Sequence, residues 1–264
     1  MKIGFIGCGN MATAILKGIL KSGEVAEADI IASAKSDKTR EKIEKELGIQ
    51  KADRNAQVVE FADVVFLAVK PQFLEGVLDE IKASVKEDQI FISIAPGKTL
   101  QWFAEKLGEK TKVIRTMPNT PAMVGEGMTA LCVNDLVTEE ETALAVKLCN
   151  TFGKTEVIPE RLMDVVVGVS GSSPAYVFMF LEAMADAAVA DGMPRAQAYK
   201  FAAQAVLGSA KLMLETGKHP GELKDMVCSP AGTTIQAVRV LEEKGLRSAV
   251  FEAQTTCVNK AKGM

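Results

Sequence analysis

Short apolar runs alternate with amphipathic segments along the first 160 residues of the chain. Runs rich in Ile, Val and Phe predict β-strands at residues 2–6, 29–33, 63–69, 89–94, 112–116, 129–133 and 155–158. Apolar positions at helical spacing predict helices at residues 11–21, 38–47, 56–61, 73–81 and 138–152. Because nearly continuous apolar strands alternate with helices, we expect a mostly parallel sheet with helices on both faces.

The pattern changes after residue 160, where period-two alternation stops. Residues 175–191 read AYVFMFLEAMADAAVAD and are apolar nearly all round, and further helices are predicted up to about residue 215 and at 231–244 and 247–260. Helices that are apolar on every side must be covered, so we expect an intertwined homodimer. The sequence thus predicts an α/β domain at residues 1–160 and an all-α dimerisation domain at 161–264.

Composition narrows the class of protein. The 264 residues include 31 Lys and Arg against 34 Asp and Glu, which leaves a net charge of −3 and no basic field for nucleic acid. No run reaches 18 consecutive apolar residues, so we expect no membrane span. The five cysteines form no C-x-x-C pair, and we interpret them as reduced thiols of a cytoplasmic protein without a metal site.

A glycine-rich loop follows the first predicted strand directly. It reads Gly7-Cys8-Gly9-Asn10-Met11-Ala12 and opens a helix. In this G-x-G-x-x-A pattern Gly7 permits a tight turn, Gly9 lets a pyrophosphate approach the backbone, and Ala12 lets the helix pack against the strand. The position of the loop at the start of a βαβ alternation predicts a Rossmann-like dinucleotide-binding domain, with a purely structural turn as the alternative.

The end of the second predicted strand bears on which dinucleotide is bound. The segment Ser33-Ala34-Lys35-Ser36 has no acidic residue to hold a ribose 2′-hydroxyl, whereas hydroxyls and a lysine suit a 2′-phosphate. The sequence therefore favours NADPH over NADH, and NADH stays open. The alternative is that Lys35 and Ser36 only begin a solvated helix.

The ends of other predicted strands should face the same binding crevice as the glycine-rich loop. Ala68-Val69-Lys70-Pro71 and Ala95 lie at the ends of the strands predicted at residues 63–69 and 89–94, and Asn55 precedes a helix on the adenosine side. Three further stretches are rich in Gly, Pro, Ser and Thr, at residues 117–121, 170–175 and 219–234. The last two lead into helices, where such loops bind carboxylates or simply cap the helix.

Taken together, these stretches resemble the pyrroline-5-carboxylate reductase family over essentially the whole chain. The matching segments are GFIGCGNMA at 4–12, FLAVKP at 66–71, MPNTP at 117–121, GVSGSSPAY at 168–176 and HPGELKDMVCSPAGTTIQAVRVLE at 219–242. The resemblance implies NAD(P)H-dependent reduction of 1-pyrroline-5-carboxylate to L-proline. It also implies a homodimer through the helical domain, with a higher oligomer such as a decamer left open.

The resemblance also implies site residues. Cofactor contacts are expected at Ile6, Gly7, Cys8, Gly9, Asn10, Met11, Ser33, Ala34, Lys35, Ser36, Asn55, Ala68, Val69, Lys70, Pro71 and Ala95. Substrate contacts are expected at Glu160, Ser172, Ser173, Gly232, Thr233 and Thr234. The Thr234 hydroxyl would lie near the imine nitrogen and orient it or relay a proton.

The chain departs from the family pattern at three positions, Ser173, Ala231 and Met226, where relatives commonly have Gly, Gly and, in some members, Asn. Two other functions are alternatives. A β-hydroxyacid dehydrogenase would need a lysine in residues 168–190, where the sequence has none. A non-catalytic nucleotide sensor would not need Gly232-Thr233-Thr234. The single histidine, His219, precedes Pro220 at a helix start and has no obvious acidic partner.

Overall fold

The computed structural model describes residues 1–263 and divides into two compact units. The first comprises Met1–Gly171 together with the chain end from residue 258, and the second comprises Ser172–Cys257. The functional boundary near residue 160, which was inferred from composition, stays a prediction.

The first unit is built on one eight-stranded sheet. Its strands are β1 Ile3–Ile6, β2 Ile30–Ser33, β3 Gln50–Ala52, β4 Val64–Leu67, β5 Ile90–Ser93, β6 Lys112–Met117, β7 Gly127–Val133 and β8 Gly153–Val157. They lie in the order β3-β2-β1-β4-β5-β6-β7-β8, and every neighbouring pair is parallel except β6 and β7. This is the strand order of a Rossmann-like sheet, extended by two strands at one edge. The predicted mostly parallel sheet is therefore confirmed.

Helices cover both faces of this sheet. They are α1 Asn10–Ser22, α2 Asp37–Lys45, α3 Asn55–Phe61, α4 Pro71–Ile81, α5 Leu100–Leu107 and α6 Glu139–Cys149. One buried cluster joins the sheet to α1, α2 and α6, and a second joins it to α3, α4 and α5. Phe5 and Phe66 stack on neighbouring strands of the first cluster with their ring centroids 4.6 Å apart.

The cysteines of the first unit are buried thiols. Within residues 1–263 none of the five cysteines forms a disulfide bond, and Cys8, Cys132 and Cys149 are buried. Burial raises the pKa of Cys132 to about 11 and that of Cys149 to about 12, because the interior disfavours a charged thiolate. These groups are therefore protonated and unreactive in the folded chain.

The remaining chain is helical, as predicted. Its helices are α7 Met163–Val166, a π-helical turn at Val167–Gly171, α8 Ser173–Ala190, α9 Arg195–Thr216, α10 Pro220–Met226, α11 Thr233–Glu243 and α12 Leu246–Lys262. Within the second unit α8 packs against α9, and small side chains, Ala185, Ala198 and Ala202, are buried there. Small residues let the two helices approach each other closely.

Large apolar side chains of the second unit are exposed in the single chain. Leu214 is 83% exposed, Phe251 74% and Met179 70%. Within residues 1–263, one helical run at Glu160–Ala190 is long and apolar enough to cross a membrane; an 18-residue window has a mean hydropathy of 1.4 and is 6% buried. That run contains a π-helical turn, and an apolar helix at a subunit interface passes the same test.

One backbone conformation in the second unit is strained. Ala231 has φ 57°, which lies in the left-handed region. It is the only non-glycine residue with positive φ among residues 1–263. A side chain at such a position costs roughly 1–2 kcal/mol, so glycine would be less strained there. The strained residue directly precedes Gly232, the residue before α11.

We expect Ala231→Gly to raise the free energy of unfolding by about 0.5–1 kcal/mol, since relief of the left-handed strain exceeds the added entropy of the unfolded chain. Denaturant unfolding of both forms measures this. The matched control is Ala253→Gly in the middle of α12, which should lower stability by about 1 kcal/mol. A loss of stability at both positions would contradict the strain at Ala231.

Candidate active site

The glycine loop forms where three strand ends meet. The Gly7 N–H donates to the Ser33 carbonyl at 3.0 Å, and the Ala68 N–H donates to the Ile6 carbonyl at 2.9 Å. Gly7 has φ 93°, and a Cβ there would lie 2.7 Å from the Ala68 carbonyl oxygen. A side chain at Gly7 is therefore excluded by both the turn and the neighbouring strand.

Gly9 has a different reason to be glycine. Its φ is −75°, and a Cβ built on it meets nothing within 4 Å. Gly9 is the N-cap of α1 and offers no side chain to the first N–H groups of that helix. An open space in front of an uncapped helix start fits the pyrophosphate of a dinucleotide, which those N–H groups would hold.

A cavity of about 430 Å³ adjoins this loop at the carboxyl ends of β1 and β2. It is lined by Gly7, Ser33, Ala34, Lys35, Arg40, Asp53, Arg54, Asn55, Val69, Phe73, Gly76, Val77 and Glu80. Six of these residues were expected to contact the cofactor: Gly7, Ser33, Ala34, Lys35, Asn55 and Val69. The structure thus brings segments far apart in the sequence to one site.

Ser36 does not line this cavity. Its Oγ accepts a hydrogen bond from the Thr39 N–H at 3.3 Å and lies 2.8 Å from the Thr39 hydroxyl, so it caps the start of α2. These are the contacts of a residue that begins a helix, and the expected cofactor contact at Ser36 stays a prediction. Lys35 differs, since its ammonium lies over the Phe73 ring, 5.5 Å from the centroid, at the cavity wall.

The other expected cofactor residues lie near the loop but offer mainly backbone. The side chains of Ile6, Cys8 and Ala95 are buried, so only their N–H and C=O groups can meet a ligand. Asn10 and Met11 form the first turn of α1, and Lys70 and Pro71 begin α4. Ala68 lies beside Gly7. These contacts stay predictions.

Two cationic side chains of the cavity were missed by sequence reasoning. Arg40 donates from Nε to the Ala34 carbonyl at 2.7 Å, which anchors its guanidinium beside the end of β2. Arg54 precedes α3 and also lines the cavity. Arg40 lies one helical turn after Ser36, so reading α2 as part of the crevice would have identified it.

A third missed residue is Glu80, near the end of α4. Its carboxylate accepts from the Asn55 Nδ2 at 2.7 Å and from the Asn55 backbone N–H at 3.2 Å. The Ser33 hydroxyl in turn donates to the Asn55 Oδ1 at 2.7 Å. The three side chains form one hydrogen-bonded chain along the cavity wall.

The carboxyl edge of the sheet continues to the segment at residues 117–121. Asn119, which is 9% exposed, donates from Nδ2 to the Ser170 carbonyl at 3.0 Å and accepts from the Met128 N–H at 2.8 Å. Both ends of its amide are thus bound to backbone. Asn119 therefore ties the start of β7 to the π-helical turn, which accounts for a polar residue in this segment without a ligand.

Glu160 lies at the same edge. Its Oε1 accepts a hydrogen bond from the Leu100 N–H at 2.7 Å and pairs with Arg115. Arg115 is 7% exposed and lies on β6, opposite Ser93 of β5. Removing Glu160 would leave the buried Arg115 charge uncompensated, which is costly. Glu160 is thus fixed in place by two contacts, and its expected contact with substrate stays a prediction.

The Ser/Gly segment differs from the loop that was predicted. Residues Val167–Gly171 form a π-helical turn between α7 and α8, so α8 has no free helix start at Gly171. Short π-helical turns occur frequently at functional sites. Ser172 accepts a hydrogen bond from the Cys257 thiol, with the sulfur and oxygen 3.2 Å apart. The helix α8 begins at Ser173, and the expected contacts of the Ser172 and Ser173 hydroxyls with substrate stay predictions.

The start of α11 does fit the prediction. Gly232 is its N-cap and makes no side-chain cap, and Thr233 and Thr234 form the first turn. A Cβ on Gly232 would lie 2.3 Å from the Ser229 Oγ and 3.1 Å from the Ser229 carbonyl oxygen, so a side chain there would be crowded. The first N–H groups of α11 are therefore available for a carboxylate. His219 instead caps α10, since its Nδ1 accepts from the Gly221 N–H at 3.1 Å.

The contrast between Gly9 and Gly7 separates a ligand-binding loop from a structural turn. We expect Gly9→Ala to leave the free energy of unfolding unchanged, because the methyl group enters open space, and to weaken dinucleotide binding about tenfold or more. We expect Gly7→Ala to lower stability by about 1–3 kcal/mol. Calorimetric titration with NADPH and denaturant unfolding measure the two effects. Full dinucleotide affinity in Gly9→Ala would favour the structural turn.

Comparison with known families agrees with this division of the chain. Residues 2–97 match the family model described as NADP oxidoreductase coenzyme F420-dependent. Residues 160–264 match the model described as pyrroline-5-carboxylate reductase dimerisation. The two matches cover the glycine loop with its cavity and the whole run from Glu160 to the chain end.

Several proteins that are similar to nearly the whole chain are pyrroline-5-carboxylate reductases. The pyrroline-5-carboxylate reductase of Escherichia coli is 57% identical over 260 residues, which are 98% of this chain and 97% of that protein. The solved enzyme of Coxiella burnetii has a TM-score of 0.93 at 35% identity and covers 99% of this chain and 97% of its own. That of Plasmodium falciparum, solved with NADP bound, has a TM-score of 0.89 at 28% identity and covers 100% and 97%. Similarity of this extent places the chain in the pyrroline-5-carboxylate reductase family of oxidoreductases.

Proposed function

We propose that this chain reduces the carbon–nitrogen double bond of 1-pyrroline-5-carboxylate to give L-proline, with NADPH favoured over NADH and Thr234 beside the imine nitrogen. The reaction follows from membership of the family, and the cofactor is a nicotinamide dinucleotide. The observation that carries the residue assignment is the uncapped start of α11, where Thr234 lies in the first turn.

The cofactor would be bound by backbone N–H groups and cavity side chains whose positions are fixed by the fold. The N–H groups at the start of α1 would take the pyrophosphate, and the cavity beside Ser33, Lys35 and Asn55 would take the adenosine end. When bound, the dihydronicotinamide supplies the hydride that adds to the imine carbon. Orientation therefore comes from backbone and small polar groups.

The substrate would be positioned by its carboxylate. The N–H groups of α11 offer donors to one carboxylate, and the hydroxyls of Ser172 and Ser173 are further candidates. Glu160, held by Arg115, would lie on the substrate side. The reaction needs no strong general acid or base, because a protonated cyclic imine is already electrophilic. Positioning supplies most of the rate enhancement. Thr234 would orient the nitrogen or relay its proton.

The preference for NADPH rests on charge. Lys35, Arg40 and Arg54 bring three cations to the cavity, against the carboxylates of Asp53 and Glu80. The Glu80 carboxylate already accepts two hydrogen bonds from Asn55. The lining thus has one more positive than negative side chain. Arg40, whose Nη1 lies 4.0 Å from the exposed Asp37 carboxylate, presents a guanidinium, which suits a 2′-phosphate.

The larger assembly is also part of the proposal. The exposed apolar side chains of α8, α9 and α12 would be covered by a second copy, consistent with the match to a dimerisation model. A decamer built from such dimers stays open. We place the enzyme in the cytoplasm, with residues 1–160 as the cofactor domain and 161–264 as the substrate and dimerisation domain.

We expect Arg40→Gln to weaken NADPH binding roughly tenfold or more and NADH binding less than about twofold, because a charged hydrogen bond to the 2′-phosphate is lost. Arg40→Lys should weaken NADPH binding less than Arg40→Gln does. Titration of each form with both cofactors measures the ratio. The control is Lys38→Gln, the same charge change on an exposed position of α2, which should leave both affinities unchanged. An equal loss for NADPH and NADH would contradict a 2′-phosphate at Arg40.

We expect Thr234→Ala to reduce kcat with 1-pyrroline-5-carboxylate by about 10²-fold, as the hydroxyl that orients or protonates the nitrogen is removed. The Kd for NADPH should be unchanged, and Thr234→Ser should keep most of the activity. Loss of NADPH absorbance measures turnover. Wild-type protein that binds NADPH yet does not turn over would overturn the proposed reaction, whereas an active Thr234→Ala would overturn only the assigned residue.

A further inference from the structure

The chain of hydrogen bonds from Glu80 to Ser33 has a fixed direction. A carboxylate only accepts, so the Asn55 group that faces Glu80 at 2.7 Å must be its NH₂. The other end of the amide, Oδ1, is then the atom that faces Ser33 at 2.7 Å. An amide oxygen also only accepts, so the Ser33 hydroxyl must donate its hydrogen to Asn55.

This direction decides what Ser33 can offer to a ligand. A serine hydroxyl has one hydrogen, and Asn55 takes it, so the Ser33 Oγ presents lone pairs to the cavity. Lone pairs accept hydrogen bonds from a hydroxyl group and repel the oxygens of a phosphate. The interpretation that Ser33 helps to hold a 2′-phosphate is therefore not supported by its hydrogen bonding, and the cations at Lys35 and Arg40 are the better partners.

We propose that Glu80 is a positioning residue that orients Asn55 and so makes Ser33 an acceptor for the 3′-hydroxyl of the adenosine ribose. NADPH and NADH share the 3′-hydroxyl, whereas the 2′-phosphate, which is assigned to Arg40, occurs in NADPH alone. This inference rests on the proposed cofactor. Glu80 acts through Asn55 and Ser33.

A purely structural role makes a different prediction. Asn55 is the first residue of α3, and its backbone N–H also donates to Glu80 at 3.2 Å, so the carboxylate stabilises the start of that helix. If that were its whole role, replacing Glu80 would lower stability and leave cofactor affinity alone. The side chain is exposed, so conservative replacements are expected to fold.

The experiment uses the full chain with Glu80→Gln and Glu80→Asp. The first removes the charge and lets the amide direction reverse; the second keeps the charge but withdraws the carboxylate by one methylene. We expect each to weaken NADPH and NADH binding by the same factor, about five- to tenfold. Calorimetric titration gives both Kd values, and thermal unfolding without cofactor gives stability. The control is Glu75→Gln on the same helix, which pairs with Lys106 outside the cavity and should change neither Kd.

A double-mutant cycle tests the route through Asn55. In an Asn55→Ala background, Glu80→Gln should cause no further loss of affinity, because the amide that it orients is gone. Additive losses would overturn the relay, as would unchanged Kd values with lowered stability, or tighter binding of NADPH alone. If the wild-type chain bound neither cofactor, the proposed function itself would fall, and with it this inference; normal wild-type binding with an unaffected Glu80→Gln would overturn the inference alone.

Discussion

Three strand ends approach one another so closely at Gly7 that no side chain fits between them. A Cβ at this position would lie 2.7 Å from the Ala68 carbonyl oxygen, and the left-handed turn directs the chain from β1 into α1. This contact fixes where α1 begins and therefore where its free N–H groups point. Gly7 itself lines the cavity at the ends of β1 and β2.

The two units share one local feature, a helix that begins without a side-chain cap. α1 and α11 both begin after a glycine that gives no side-chain cap, so backbone N–H groups are left for a ligand. Backbone donors keep their positions because the helix holds them. An enzyme whose substrate is already electrophilic gains more from such fixed donors than from a strong acid.

Patterns of apolar residues were enough to predict seven of the eight strands and the helical C-terminal half, because burial of regular faces determines them. They missed β3, whose three residues Gln50–Ala52 include only one buried side chain, and α5 at Leu100–Leu107. The glycine loop was predictable from local chemistry. Glu80 was not, because its role depends on α4 and α3 lying side by side, and the π-helical turn at Val167–Gly171 has no sequence pattern of its own.

The buried thiols give the chain chemical reporters of its own opening. Cys132 lies in β7 and Cys149 at the end of α6, and their raised pKa values keep both sulfurs neutral across the pH range in which enzymes work. A thiol reagent reaches them only when that part of the sheet or helix separates. The rate at which each sulfur is labelled therefore measures local opening of β7 or of the end of α6, without any engineered probe.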